Sequence, residues 1–193
     1  NSFTGKDYTT WPDLFTRMEE FDPSLETVRL TSWSLMYSQM TTGADISLKL
    51  DSDEESTDKA IDLLNNRTDD PDAMFVYFLD VDKTGHSKGF HPTVPEYLEN
   101  IEDVDIQIGS ILAALKNRPD YDTEDWLIIV TSDHGGNYAG AYGGHGEDRP
   151  EDRTVFMIVS GPSVKNPGGT IYPQPSQVDV VPRQCRETRL RQD

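Results

Sequence analysis

Two almost unbroken apolar runs constrain this chain more than any other feature. They are Ala73-Met-Phe-Val-Tyr-Phe-Leu-Asp80 and Trp126-Leu-Ile-Ile-Val-Thr-Ser132. A strand with one face in water alternates apolar and polar residues, whereas an unbroken run belongs to a strand covered on both faces. Between the runs, Tyr97, Ile101, Val104, Ile108, Leu112 and Leu115 recur every three or four residues, the period of a helix with one apolar face. That helix is predicted to end near Asn117, ahead of Pro119. Thr93-Val-Pro-Glu96 reads as its capping box, and Pro95 suits a first turn. A third run, Thr154 to Ser160, stops at Gly161-Pro162. The order strand, helix, strand, loop, strand predicts an α/β domain with a mostly parallel sheet sandwiched by helices.

Upstream, Trp11, Leu14, Phe15, Met18 and Phe21 fall at helical spacing, with Pro12 in the first turn and Asp22-Pro23-Ser24 as the stop. Thr27 to Trp33 sets Val28, Leu30 and Ser32 against Arg29 and Thr31, the alternation of a short strand. The acidic run 51–59 reads as the capped start of a helix carrying Ala60, Ile61, Leu63 and Leu64, its acids at the positive end of the dipole. A calcium loop is the alternative, but the run lacks the Gly and the spaced acids of an EF-hand. Residues 82–91 read as a Gly-containing loop, and 133–146 as a Gly-rich one.

Charge bounds the function. The 193 residues carry 35 Asp+Glu against 17 Lys+Arg, a formal net charge of -18. No Lys/Arg stripe exists to neutralise phosphates, which argues against nucleic acid as a partner. No run approaches the roughly 20 apolar residues of a membrane span. Most of the acidity reads as solvated surface, and some of it as carboxylates gathered around metal. Cys185 is the single cysteine, so neither an intrachain disulfide nor a CxxC zinc site can form. Arg183, Arg186, Arg189 and Arg191 reverse the charge trend in a basic tail over 183–193, read as a solvated end, with an anionic docking role as the alternative. Residues 1–182 form the α/β part.

Three clusters follow the strand-like runs: Asp82-Lys-Thr-Gly-His86, Thr131-Ser-Asp-His-Gly135 and Gly143-Gly-His-Gly146. Open α/β sheets place their sites beyond the carboxyl ends of their strands. Three of the four histidines (His86, His134, His145) lie in the clusters, and His91 is five residues beyond His86. Carboxylate oxygen with imidazole nitrogen suits zinc, and manganese or iron less selectively. Asp82 and His86 are four apart, with Gly85 letting the loop turn so that both reach one ion. Asp133 and His134 are adjacent and diverge in a strand, but at a strand-to-loop turn they can converge. Taken singly, each cluster has an ordinary reading as a hydrogen-bonded loop anchor or flexible turn. Three together, each after an apolar run, are hard to obtain from anchoring alone.

These motifs, with Val159-Ser-Gly-Pro162 and Gln177-Val-Asp-Val-Val-Pro182, resemble the C-terminal part of the alkaline phosphatase superfamily, in its nucleotide pyrophosphatase/phosphodiesterase and sulfatase-like branches. The resemblance covers roughly residues 73–182. It implies a two-metal esterase, with zinc as the metal. One ion would be held by Asp82, His86 and His145; the other by Asp133 and His134, plus an Asp and a Ser/Thr nucleophile that the family carries upstream. Thr84 does not occupy the nucleophile position, and Thr41-Thr42-Gly43 follows no metal-binding Asp. The resemblance therefore sets the expectation of an incomplete domain whose nucleophile lies upstream of Asn1. Cys185 stands in the wrong context for a formylglycine sulfatase; a cofactor-independent phosphoglycerate mutase stays an alternative, with a different ligand spacing. Two readings of function follow. One is a metal-dependent phosphoric-ester hydrolase acting on a phosphate- or sulfate-ester small molecule, with a protein partner able to supply the missing part. The other is a catalytically inactive structural or interaction subunit derived from such an enzyme. Localisation is not fixed by the sequence; the Asn66-Arg-Thr68 sequon is compatible with export.

Overall fold

A computed structural model describes residues 10–40, 42–66, 70–138, 143–165, 168–171 and 173–180. The basic tail, Cys185 and the end of the Gln177–Pro182 segment lie outside the described residues, as do Thr41 and Thr68. The described chain forms two compact units. Residues up to Lys83 with Leu98–Arg118 make the first. Thr84–Tyr97 with the residues from Pro119 onward make the second.

The first unit is built on three parallel strands, β1 (Thr27–Thr31), β2 (Ile46–Lys49) and β3 (Ala73–Tyr77), in the order β2-β1-β3. Register pairs Val28 with Ile46 and Met74, and Leu30 with Leu48 and Val76. Because alternate residues of a strand share a face, these side chains form one apolar layer. Ala60 and Leu63 of helix α3 (Asp53–Asn65) close over Val28 and Leu30, with Ile111 of α5 (Pro95–Lys116) alongside. Parallel neighbours need crossovers rather than hairpins. The first is helix α2 (Ser34–Gln39), which packs on β1 and β2, and α3 is the second.

The apolar run at 73–80 predicts a covered inner strand, but among the described residues the covered strand is β1. All five of its residues are buried, including Arg29. The alternation at 27–33 therefore hides a strand covered on both faces. Its second face is closed by α2, whose terminal carbonyls satisfy the Arg29 guanidinium. The guanidinium donates to Met40 O at 2.9 Å, Tyr37 O at 3.3 Å and Met36 O at 3.4 Å, and its Nε reaches Ser47 Oγ at 3.0 Å. A buried cation is tolerated here because it sits on the negative end of a helix and donates to carbonyls of its last turn and cap.

Helix α1 spans Leu14–Phe21, shorter than its apolar spacing predicts. Asp13 caps it, accepting Phe15 N at 3.0 Å. That leaves Pro12 before the cap and Trp11 73% exposed. The acidic run 51–59 is helical, with Ser52 as N-cap and Asp53, Glu54 and Glu55 in the first turn of α3. Residues 82–91 differ most from expectation: Asp80–Lys88 form helix α4. Gly85 is not a turn within it. A Cβ there would fall inside the Phe90 ring, so the glycine is what lets Phe90 pack against the helix. Helix α5 begins at Pro95 as predicted. Thr93 stands two residues before it and engages His91 instead, Oγ1 to Nδ1 at 2.8 Å.

In the second unit, β4 (Ile128–Thr131) pairs antiparallel with β5 (Met157–Ser160). The predicted parallel arrangement thus holds for the first unit and not for this pair. The strands are joined by a Gly-rich loop and the short helix α6 (Pro150–Arg153). Among the described residues, no helix is long and apolar enough to cross a membrane.

Candidate metal centre

Three histidines converge in the second unit. His86 projects from the last turn of α4. His134 lies three residues beyond the end of β4, and His145 lies in the loop that returns beside it. Backbone pairing of Asn137 with Gly144, at 2.9 and 3.2 Å, brings the two loop segments side by side. The rings of His134 and His145 stack, with centroids 3.6 Å apart and planes 15° from parallel, and they offer ligand nitrogens within 4.8 Å of each other. His86 Nε2 stands 3.0 Å from His145 Nε2. Phe90 walls the group, meeting His86 and His145 edge-on at 5.4 and 6.0 Å.

The Nδ1 contacts decide what these rings can do. His86 Nδ1 lies 3.3 Å from Gly143 O, and His134 Nδ1 lies 2.8 Å from Gly135 O. A carbonyl only accepts, so each Nδ1 carries its hydrogen, and Nε2 is the atom that presents a lone pair in the neutral form of each ring. Metal-binding histidines are oriented in this way, with the far ring N–H given to a carbonyl or carboxylate. The donor set and its tautomers therefore fit a divalent ion.

The two carboxylates of the sequence pattern are placed differently. Asp133 Oδ1 accepts the His134 N–H at 3.1 Å and lies 3.8 Å from His134 Nε2, so this adjacent pair does fold back on itself at the strand end. Its loop is tethered by Gln177, whose amide donates to Ser132 O at 2.7 Å and Asp133 O at 2.6 Å. Asp82 precedes His86 by one turn on α4, and residues four apart share a helix face. The expected loop turn at Gly85 is therefore replaced by helical spacing. His91 is exposed and bonds Thr93 rather than the other histidines.

Sequence reasoning passed over Phe90, Asn137 and Asp152. Asp152 is 4% exposed. Its carboxylate accepts from Asn137 Nδ2 at 2.7 Å and from Glu147 N at 2.8 Å. The Asn137 amide, aided by the Glu147 N–H, holds that carboxyl below the ordinary carboxylate range against the opposite pull of burial. Nothing in its spacing separates Asp152 from the other acids around it.

Comparison with known proteins adds the following. The family described as type I phosphodiesterase / nucleotide pyrophosphatase matches residues 3–185. GPI ethanolamine phosphate transferase 1 of Chaetomium globosum is 33% identical over 100 residues, 52% of this chain and 10% of that protein. The protein of the same name from Schizosaccharomyces pombe is 30% identical over 49% of this chain and 9% of its own length. A 2,3-bisphosphoglycerate-independent phosphoglycerate mutase of Haloquadratum walsbyi is 29% identical over 68% of this chain and 24% of that protein. The chain thus spans about a tenth of the length of the transferases it matches. Among solved structures, murine ectonucleotide pyrophosphatase / phosphodiesterase 5, as an inactive variant in complex with AMP, aligns with 64% of this chain and 31% of its own. That alignment has 24% identity and a TM-score of 0.45.

Proposed function

Since the chain belongs to the type I phosphodiesterase / nucleotide pyrophosphatase family, we propose that it holds divalent metal at the histidine cluster and acts on phosphate esters. The observation that carries this reading is the pair of Nδ1–carbonyl contacts of His86 and His134. A carbonyl at Nδ1 leaves Nε2 as the ligand atom of each ring, which supports this reading. In this reading Asp82, His86 and His145 serve one zinc ion, and Asp133 and His134 a second. The ions supply concentrated positive charge for phosphoryl oxygens. A chain of net charge -18 needs that locally, because its overall field repels anionic esters. The reaction class is displacement at phosphorus. An oxygen nucleophile forms a new P–O bond, the bond to the leaving alkoxide breaks, and the alkoxide takes up a proton.

The relatives named ethanolamine phosphate transferases favour a second version, in which an alcohol rather than water finally receives the phosphoryl group. Both versions share the metal cluster. The test is zinc stoichiometry by elemental analysis, together with turnover of bis-p-nitrophenyl phosphate, with and without an added amino alcohol. Hydrolysis that His86→Ala lowers by about 100-fold or more supports the hydrolase, on the scale of losing a group that positions catalytic charge. Product appearing only with the alcohol supports the transferase. Bound zinc without turnover under either condition supports the inactive structural subunit. Absence of zinc from the folded protein overturns the metal assignment.

A further inference from the structure

Two loop segments, 134–137 and 143–147, have to stay at a fixed separation for His134 and His145 to remain stacked. Besides the Asn137–Gly144 backbone pair and the Phe90 ring packed near Gly136 and Gly143, one side chain hydrogen-bonds to both. Asp152 on α6 takes the Asn137 side-chain amide with Oδ1 and the Glu147 N–H with Oδ2, while its own carbonyl accepts Gly135 N at 2.8 Å. Gly135 directly follows His134, and Glu147 is two residues beyond His145. The contact at Gly135 is close: a Cβ there would collide with the Glu151 carbonyl oxygen. Helix α6 is thus seated directly on the backbone beside one histidine, while its Asp152 side chain reaches the backbone beside the other. A buried carboxylate with both oxygens in use is a rigid spacer, because turning it breaks two charge-assisted bonds at once.

We propose that Asp152 is a positioning residue that sets the spacing of His134 and His145. The reading rests on the metal assignment above only for its purpose; the positioning itself is a property of the metal-free protein. An alternative, that Asp152 only stabilises α6, predicts no change in the histidine rings of a folded variant.

The experiment compares wild type, Asp152→Ala and Asp152→Asn in the full chain, with folding checked by far-ultraviolet circular dichroism. Ring-proton signals of His134 and His145 are read by NMR in metal-free protein, and zinc affinity by competition with a chelator. Stacking at 3.6 Å displaces these signals by ring current, and the histidine signals of the urea-unfolded protein serve as the reference. In Asp152→Ala both signals should move toward the unfolded values, and zinc should bind about 10- to 100-fold more weakly, the usual cost of losing a group that orients metal ligands. Asp152→Asn keeps the shape but turns an NH2 toward one of two donors, so it should show an intermediate loss of affinity. It also carries the test if the alanine variant fails to fold. Ring signals unchanged and zinc affinity within twofold of wild type, in either folded variant, overturn the proposal. If wild type binds no zinc yet the ring signals still move in Asp152→Ala, the metal assignment fails and the positioning role stands.

Discussion

Asp53→Ala should be among the most destabilising single changes in the first unit. Asp53 is fully buried. Its carboxylate accepts Leu79 N at 2.8 Å, Asp80 N at 2.8 Å and Ser32 Oγ at 2.6 Å. Leu79 and Asp80 open α4, and Leu79 has no side-chain acceptor to cap it, so an acid from α3 performs the capping. The same acid sits in the first turn of α3. It therefore faces the positive ends of two helices, which is how a buried anion is tolerated without an arginine or lysine bonded to it. Truncation strands two backbone N–H groups at about 1–3 kcal/mol each, while the Ser32 hydroxyl can turn away. The sum is about 4 kcal/mol, a large part of the roughly 5–15 kcal/mol by which a domain is stable. With a urea m-value near 2 kcal/mol/M, the midpoint should fall by about 2 M. The Trp33–Tyr77 stack, centroids 5.7 Å apart, lies in the same unit and gives a fluorescence signal. Amide exchange at Leu79 and Asp80 reports the broken cap directly. Glu54→Ala is the control, because Glu54 shares the first turn but is exposed; it should lose no more than about 1 kcal/mol. A loss for Asp53→Ala equal to that of the control, with Leu79 and Asp80 still protected, would refute the capping argument.

Two further outcomes are expected. Gly85→Ala gains about 1 kcal/mol of helix propensity but drives a methyl into the buried Phe90 ring. Overpacking costs about 1–3 kcal/mol, so thermal stability should not rise, and the edge-on Phe90 contacts to His86 and His145 should be lost from aromatic nuclear Overhauser effects. A stabilised variant with those contacts intact would contradict the packing. Asp45 and Glu19 meet at Thr27 with opposite consequences for pH. Thr27 N–H, bonded to Asp45 at 2.9 Å, holds that carboxyl below its ordinary 3.8, so its contribution is complete above 3.8 and fades as pH falls through the lowered value. Burial, and next the Asp45 charge, push Glu19 above its ordinary 4.5. Its contribution is present below 4.5 and fades as pH rises through the raised value. At pH 7, Glu19→Gln should therefore raise the urea midpoint and Asp45→Asn lower it; shifts of the same sign would show that the two carboxyls do not oppose one another.

The elements that sequence revealed most clearly are those whose cause is local. The apolar period of 97–115 marks α5 because one helix face must meet the core, and Ile111, Ala114 and Leu115 do so. Ser52 and the acids after it mark the start of α3 because capping and dipole effects act within one turn. Strand covering is not local. Thr27–Thr31 looks half-polar, yet Arg29 is buried because α2 ends against it, and no pattern within five residues carries that information. The antiparallel pairing of β4 with β5 is equally a matter of which strands meet, which apolar content leaves open.

The same division explains the candidate site. Zinc chemistry restricts ligands to a few residue types, so with four histidines in the chain the clusters after the strand-like runs marked His86, His134 and His145 as candidates. What orients them is nearly invisible in sequence, because every residue has a carbonyl. That Gly143 and Gly135 lend theirs to Nδ1 follows only from where the loops run. The glycine-rich sequence around each histidine then has a physical reason besides flexibility. At Gly135 a side chain would strike α6, and at Gly85 it would strike Phe90. A bulkier residue at either position would push away the element that holds a histidine in place. The glycines next to the histidines thus belong to the geometry of the site as closely packed contacts, and the motif records backbone proximity as much as it records the histidines themselves.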